Sequence, residues 1–155
     1  MRKSLRFLVT FLGCVCLAAF VGAAEKAISK RELPAAVKRT ADEQSKGATV
    51  RGYSKDTEDG KLEYEVEMLV IGHTKDVTIA PDGRLLEIEE EVSLNSLSPQ
   101  VRSGLAAQAG KGKITKVEAL TKHGTIVAYE AQVLVAGKHS EVQVGPDGGR
   151  LAHEE

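Results

Sequence analysis

Tyr64-Glu65-Val66-Glu67-Met68-Leu69-Val70 is the stretch whose reading decides the fold. Apolar side chains fall at every second position with glutamates between them, the period of a strand with one buried face and one wet face. The pattern returns 65 residues later as Tyr129-Glu130-Ala131-Gln132-Val133-Leu134-Val135. Working outward, Leu33-Pro34-Ala35-Ala36-Val37-Lys38 returns as Leu97-Ser98-Pro99-Gln100-Val101-Arg102. Gly72 matches Gly137, Val77 matches Val142 and Ile79 matches Val144. Pro81-Asp82-Gly83 matches Pro146-Asp147-Gly148, and Arg84-Leu85 matches Arg150-Leu151 after one inserted glycine. So many matched positions read as a tandem duplication, and two units are too few for a solenoid.

Each unit predicts a helix followed by strands. Leu33, Val37 and Ala41 recur at helical spacing behind Pro34, and Gly47 stops the run. In the second unit Ser98 is an N-cap with Pro99 in the first turn, Val101, Leu105 and Ala109 form the apolar stripe, and Gly110 ends it. Helices this short are marginal alone and need an apolar surface to pack on. Asp59-Gly60, His123-Gly124, Gly72 and Gly137 mark hairpin turns. Pro-Asp-Gly is a turn by chemistry, since proline presets φ, aspartate bonds the backbone and glycine tolerates positive φ. Final strands are expected from Leu85 to Glu91 and from Leu151 onward. The fold class is therefore α+β: a tandem repeat of a helix followed by a four-stranded antiparallel sheet, after an N-terminal leader. The two small sheets are expected to join edge to edge or to pack into one body.

Residues 1–24 read as a signal peptide. Arg2, Lys3 and Arg6 precede an apolar run from Phe7 to Val21, and small residues follow at Gly22-Ala23-Ala24. Cleavage after Ala23 fits as well as cleavage after Ala24. The run falls short of the roughly 20 apolar residues that span a bilayer, so no stable membrane span is expected after cleavage. Phe11-Leu12-Gly13-Cys14 offers the alternative of a lipoprotein anchored at Cys14. The remaining divisions are 25–92 for the first repeat and 93–155 for the second.

Cys14 and Cys16 both lie in the leader, so disulfides, thiolate metal sites and cysteine catalysis are excluded for the exported part. The chain has no Trp, all three Phe lie in the leader, and only Tyr53, Tyr64 and Tyr129 follow. No basic stripe interleaved with aromatics exists, which argues against a nucleic-acid partner.

The order of a short helix, Tyr64-Glu65-Val66-Glu67 in a hairpin, a further strand, and Pro81-Asp82-Gly83-Arg84-Leu85-Leu86-Glu87-Ile88 resembles the PepSY-like family, also described as β-lactamase-inhibitor-like. The resemblance covers nearly all of the chain after the leader, once per repeat. It implies export, an α+β repeat, and binding or inhibition of another envelope protein, often a peptidase. It carries no catalytic motif. This sequence departs from the β-lactamase inhibitor itself in lacking its cysteines and its many aromatic residues.

No motif carries chemistry. His73, His123, His139 and His153 form no HExxH and no close pair, and three of them fall in hairpin turns; a metal reading would require convergence with Asp76 or Glu141. Ser54 and Ser140 lack a nucleophile elbow. Gly110-Lys111-Gly112-Lys113 lacks the spacing and flanking elements of a phosphate loop. No catalytic residue, metal site or cofactor is assigned, and the chain is expected not to be an enzyme.

Charge supplies the remaining signal. Residues 33–92 hold 8 basic and 14 acidic side chains, whereas residues 97–155 hold 7 and 6. Glu63, Glu65, Glu67, Glu87 and Glu89 should point away from the core on neighbouring strands, where like charges repel. These five form the candidate face for a partner or a cation. The leading expectation is a secreted or periplasmic, non-catalytic binding module with an envelope protein partner, a peptidase or envelope-enzyme inhibitor included. The alternative is a cation- or small-ligand-binding envelope protein using the acidic face of the first repeat, with Ca²⁺ as the hard cation.

Overall fold

The alternating segments form long strands. The computed structural model describes residues 25–58, 60–153 and 155, so the leader and both readings of it lie outside the described residues. Strand β1 (Lys26–Ile28) precedes helix α1 (Ala35–Gln44), strands β2 (Thr49–Glu58), β3 (Lys61–Val70), β4 (His73–Ile79) and β5 (Leu85–Glu91), helix α2 (Pro99–Ala109), and strands β6 (Lys113–Lys122), β7 (Thr125–Val135) and β8 (Lys138–Val144). The eight strands pair antiparallel in chain order in one sheet.

Helix α2 begins at the cap expected from the sequence, and α1 begins one residue after the proline expected in its first turn. Pro34 precedes α1, and in α2 the Ser98 hydroxyl accepts the Val101 N–H at 3.2 Å with Pro99 in the first turn. Val37 and Ala41 bury one stripe of α1 against Tyr64, Val66, Met68, Val77 and Ile79. Val101, Leu105 and Ala109 bury the stripe of α2 against Val117, Ala131, Val133 and Val144. Cross-strand partners share a face. The chain of partners Val66↔Val77↔Ile88↔Thr121 therefore places both aliphatic cores on the same side of the sheet. Both helices cover that side, and among the described residues the opposite face carries no helix.

Two corrections follow. The expected tandem repeat of a helix followed by a four-stranded antiparallel sheet is replaced by one eight-stranded antiparallel sheet with two helices. The reason is pairing between β5 and β6, which runs from Glu87↔Lys122 to Glu91↔Glu118 and carries the ladder across the linker. The Val92 N–H continues it by donating to the Val117 carbonyl at 2.9 Å. Secondly, the second half closes with three strands rather than four. Beyond Pro146-Asp147-Gly148, among the described residues, only an isolated Val144↔Arg150 bridge forms where the first half has all of β5. The extra Gly149 gives its N–H to Asp147 Oδ1 at 2.8 Å, and the Glu155 N–H goes to the Gln143 side chain at 2.9 Å rather than to a strand backbone. Among the described residues no helix is long and apolar enough to cross a membrane.

Candidate functional site

Register places the acidic residues on the helix-free face. Glu63, Glu65 and Glu67 alternate with the buried Tyr64, Val66 and Met68 of β3, and Glu87 and Glu89 flank Ile88 of β5. All five point away from the core, as their alternation requires. They are not on neighbouring strands, however. Strand β4 runs between β3 and β5, so the two groups stand roughly 10 Å apart, two strand spacings.

What joins them is β4 and β6, which the alternation of β3 did not reveal. One row across the face reads Gly52, Glu67, Asp76, Glu89, Leu120 and Ala128. Gly52 lies under the Glu67 carboxylate, with no side chain of its own to displace it. A second row reads Ser54, Glu65, Thr78, Glu87 and Lys122. A third contains Thr74, Glu91, Glu118, Glu130 and Gln143, since the Thr74 N–H donates to the Glu91 carboxylate and Glu91 pairs with Glu118. Glu63 lies past the end of these rows beside Asp56.

The carboxylates meet most closely around Asp76, Glu89 and Glu118, whose oxygens lie within 4.8 Å of one another. Glu118 is 4% exposed. Burial is possible because Lys116 Nζ sits 2.6 Å from Glu118 Oε1 and the Thr74 hydroxyl donates to the same oxygen at 3.3 Å. That ammonium already neutralises Glu118, one of the three carboxylates a divalent cation would need. Asp76 is pushed above the ordinary carboxylate range by burial and then by the Glu118 charge. Glu89 is pushed up to about 8, first by burial and then by Glu87, Glu118, Glu130 and Asp76. Its cross-strand partner Leu120 is 2% exposed, and Ala128 beyond it is fully buried, so one flank of Glu89 is apolar. Glu65 rises to about 7, by burial and then by the charges of Glu25, Asp76, Glu67 and Asp56. Glu63 and Glu87 are also raised by burial, the latter against the opposing pull of Lys122. Glu91 moves the other way, because the Thr74 N–H donates to it at 3.1 Å.

The histidines stay apart from this cluster. His73 Nδ1 lies 3.6 Å from Glu91 at the rim, His123 occupies a turn with φ of 52°, and His139 is exposed on β8. Sequence reasoning missed Glu118, Lys116 and the role of Asp76. Alternation of Lys116, Glu118 and Leu120 was the available signal, but β6 mixes charged and apolar residues on its helix-free side.

The described residues thus form an antiparallel sheet in chain order, with two helices on one side and the carboxylate rows on the other. It matches solved structures from Bacteroides. A B. eggerthii protein described as periplasmic superposes with a TM-score of 0.60 at 17% identity, over 75% of this chain and 84% of its own. A DUF2874 family protein from B. ovatus gives 0.59 at 20%, over 76% and 84%. A BLIP-like protein from B. fragilis gives 0.56 at 20%, over 79% and 85%. The likeness is one of fold alone. No family model matches the sequence, and no curated protein is similar to it, so the PepSY-like resemblance is carried no further than this shared fold with BLIP-like and DUF2874 proteins.

Proposed function

We propose that the chain is a non-catalytic binding protein of the cell envelope whose helix-free sheet face docks a basic surface on a protein partner. The observation that carries this reading is the pair of adjacent rows holding Glu65, Asp76, Glu87 and Glu89, carboxylates raised above their ordinary titration range chiefly by burial, on a face that neither helix of the described residues covers. Carboxylates crowded like this repel one another when ionised, and a basic partner relieves the repulsion while supplying specificity and association rate. The periplasmic description of the B. eggerthii neighbour supports an envelope location. The BLIP-like neighbour makes an envelope enzyme, a peptidase among them, the partner class to test first, with inhibition as the consequence of docking.

The test is capture from an envelope extract with the exported chain as bait, beside the same chain carrying Glu65→Gln, Glu67→Gln and Glu89→Gln. A partner retained by the first bait at low salt, lost at high salt and lost from the second supports the reading. Equal retention by both baits overturns it. The cation reading has the Asp76, Glu89 and Glu118 convergence in its favour and Lys116 against it. A rise in melting temperature with millimolar Ca²⁺ that Glu89→Gln removes would restore it.

A further inference from the structure

Two buried side-chain atoms among the described residues have no hydrogen-bond partner, Ser54 Oγ and Glu87 Oε1. Both belong to the same row of the helix-free face, at positions three strands apart: Ser54↔Glu65, Glu65↔Thr78, Thr78↔Glu87. Ser54 is 3% exposed and stands in direct register with Glu65. Buried polar atoms are nearly always paired, so two orphans in one row mark a row that is incomplete. At its far end Lys122 lies 3.6 Å from Glu87 Oε2 and leaves Oε1 without a donor. Thr78 sits between the two glutamates and remains partly open to solvent, with Glu65 on one side and Glu87 on the other.

From this placement we propose that the Ser54–Glu65–Thr78–Glu87 row is a subsite for a guanidinium group, seated over Thr78 between the two carboxylates and supplied by an arginine of the docking partner. The inference rests on the docking reading above and names where on the face, and by what chemistry, the partner is held. A guanidinium offers five N–H donors in a planar fork, enough to serve a carboxylate on each side and still reach a hydroxyl oxygen. An ammonium presents a compact charge that cannot span two acceptors held on strands two spacings apart. A hard metal ion needs oxygens that converge, and the converging carboxylates, Asp76, Glu89 and Glu118, belong to the other two rows, where Lys116 is already paired with Glu118.

The test is a titration of the isotopically labelled exported chain with the synthetic peptide Gly-Arg-Gly-Arg-Gly at neutral pH and low salt, followed by nuclear magnetic resonance. The lysine counterpart Gly-Lys-Gly-Lys-Gly serves as the second probe. Saturable shifts centred on Ser54, Glu65, Thr78 and Glu87 are expected, with the lysine peptide weaker. Glu87→Gln should weaken the arginine peptide about tenfold, the cost of one charge-assisted hydrogen bond. Glu90→Gln removes the same charge from the helix-covered side and should change nothing. Shifts centred on Asp76, Glu89 and Glu118 with the Ser54 row unmoved would overturn the subsite and leave the docking face standing. Equal binding of the two peptides would overturn the guanidinium assignment. Loss of binding by Glu90→Gln as large as by Glu87→Gln would reduce the effect to overall charge and overturn the subsite as well. Absence of any shift overturns it too, with the docking face then judged by the capture experiment.

Discussion

Ile71 is a β-branched residue held at φ of 53° and 94% exposed, at the tip of the β3–β4 hairpin. Gly72 follows with φ of 87°, so both central positions of this two-residue turn are left-handed, the arrangement that favours Asn-Gly. Holding an L-residue with a branched Cβ there costs about 1–2 kcal/mol, and its side chain recovers little by burial. Ile71→Asn is therefore expected to raise stability by about 1 kcal/mol, seen as a higher urea midpoint with an unchanged slope. A lower midpoint would show that Ile71 makes a contact that compensates for its backbone. Lys116 presents the opposite case. Its ammonium, 2.6 Å from a Glu118 carboxylate that is 5% exposed at the side chain, keeps a charge tolerable inside the sheet. Lys116→Met should cost about 3 kcal/mol at neutral pH, because it strands the Glu118 charge, and Glu118→Gln added to it should recover much of that loss. Urea melts of the two variants and the double variant close the cycle. If the losses simply add, the pair is not coupled.

At the scale of elements, each helix is tied to a Pro-Asp-Gly turn. Thr40 Oγ1 of α1 donates to the Gly83 carbonyl at 2.6 Å, while Gly104 of α2 lies against the Gly148 carbonyl. A methyl group at Gly104 would collide with that carbonyl and press on Val144. In an open helix Gly→Ala gains about 1 kcal/mol. Here the collision should reverse the sign, and Gly104→Ala should lose about 2 kcal/mol, within the range for overpacking a close contact. Thermal melts decide it, and a gain would mean the turn moves away without penalty. These turns and helices were legible in the sequence because their signals are local: Ser98 and Pro99 at the start of α2, Pro81-Asp82-Gly83 and Pro146-Asp147-Gly148 at the turns. The outermost elements were not. Strand β1 is three residues long and shows no alternation, and the strand expected from Leu151 gives way, among the described residues, to a single Val144↔Arg150 bridge. Matching Leu151 with Leu85 carried no information about whether a backbone partner would be there.

Across the whole molecule, what eluded sequence reasoning was register between distant strands. The glutamates of β3 and β5 announced an acidic face by their alternation. That Asp76 stands between them follows from β4 pairing with both strands, and that Glu118 completes the cluster depends on β5 pairing with β6, a contact set by the sheet as a whole. The face has a consequence for how stability varies with pH. Glu65 and Glu89 titrate near 7 and 8 in the folded chain, against an ordinary value of 4.5 in the unfolded one. The folded state thus holds more protons between those limits. Stability is fully present below about pH 4.5 as far as these groups are concerned, and it falls as pH rises toward 8. Glu32, Asp82 and Glu91 are shifted downward, so their opposite contribution is lost only on acidification below the ordinary carboxylate range and leaves this window clear. The melting temperature should therefore drop between about pH 5 and pH 8.5, and Glu65→Gln with Glu89→Gln should flatten the drop and raise the value at the alkaline end. A basic partner turns the same linkage around. Docking favours the ionised carboxylates, so it must expel the protons held by Glu65 and Glu89, and affinity should strengthen as pH climbs through 7 to 8. Calorimetry of the complex near pH 7 in two buffers of different ionisation enthalpy measures that release directly. Proton uptake, or no exchange at all, would mean that the partner meets some other surface of the sheet.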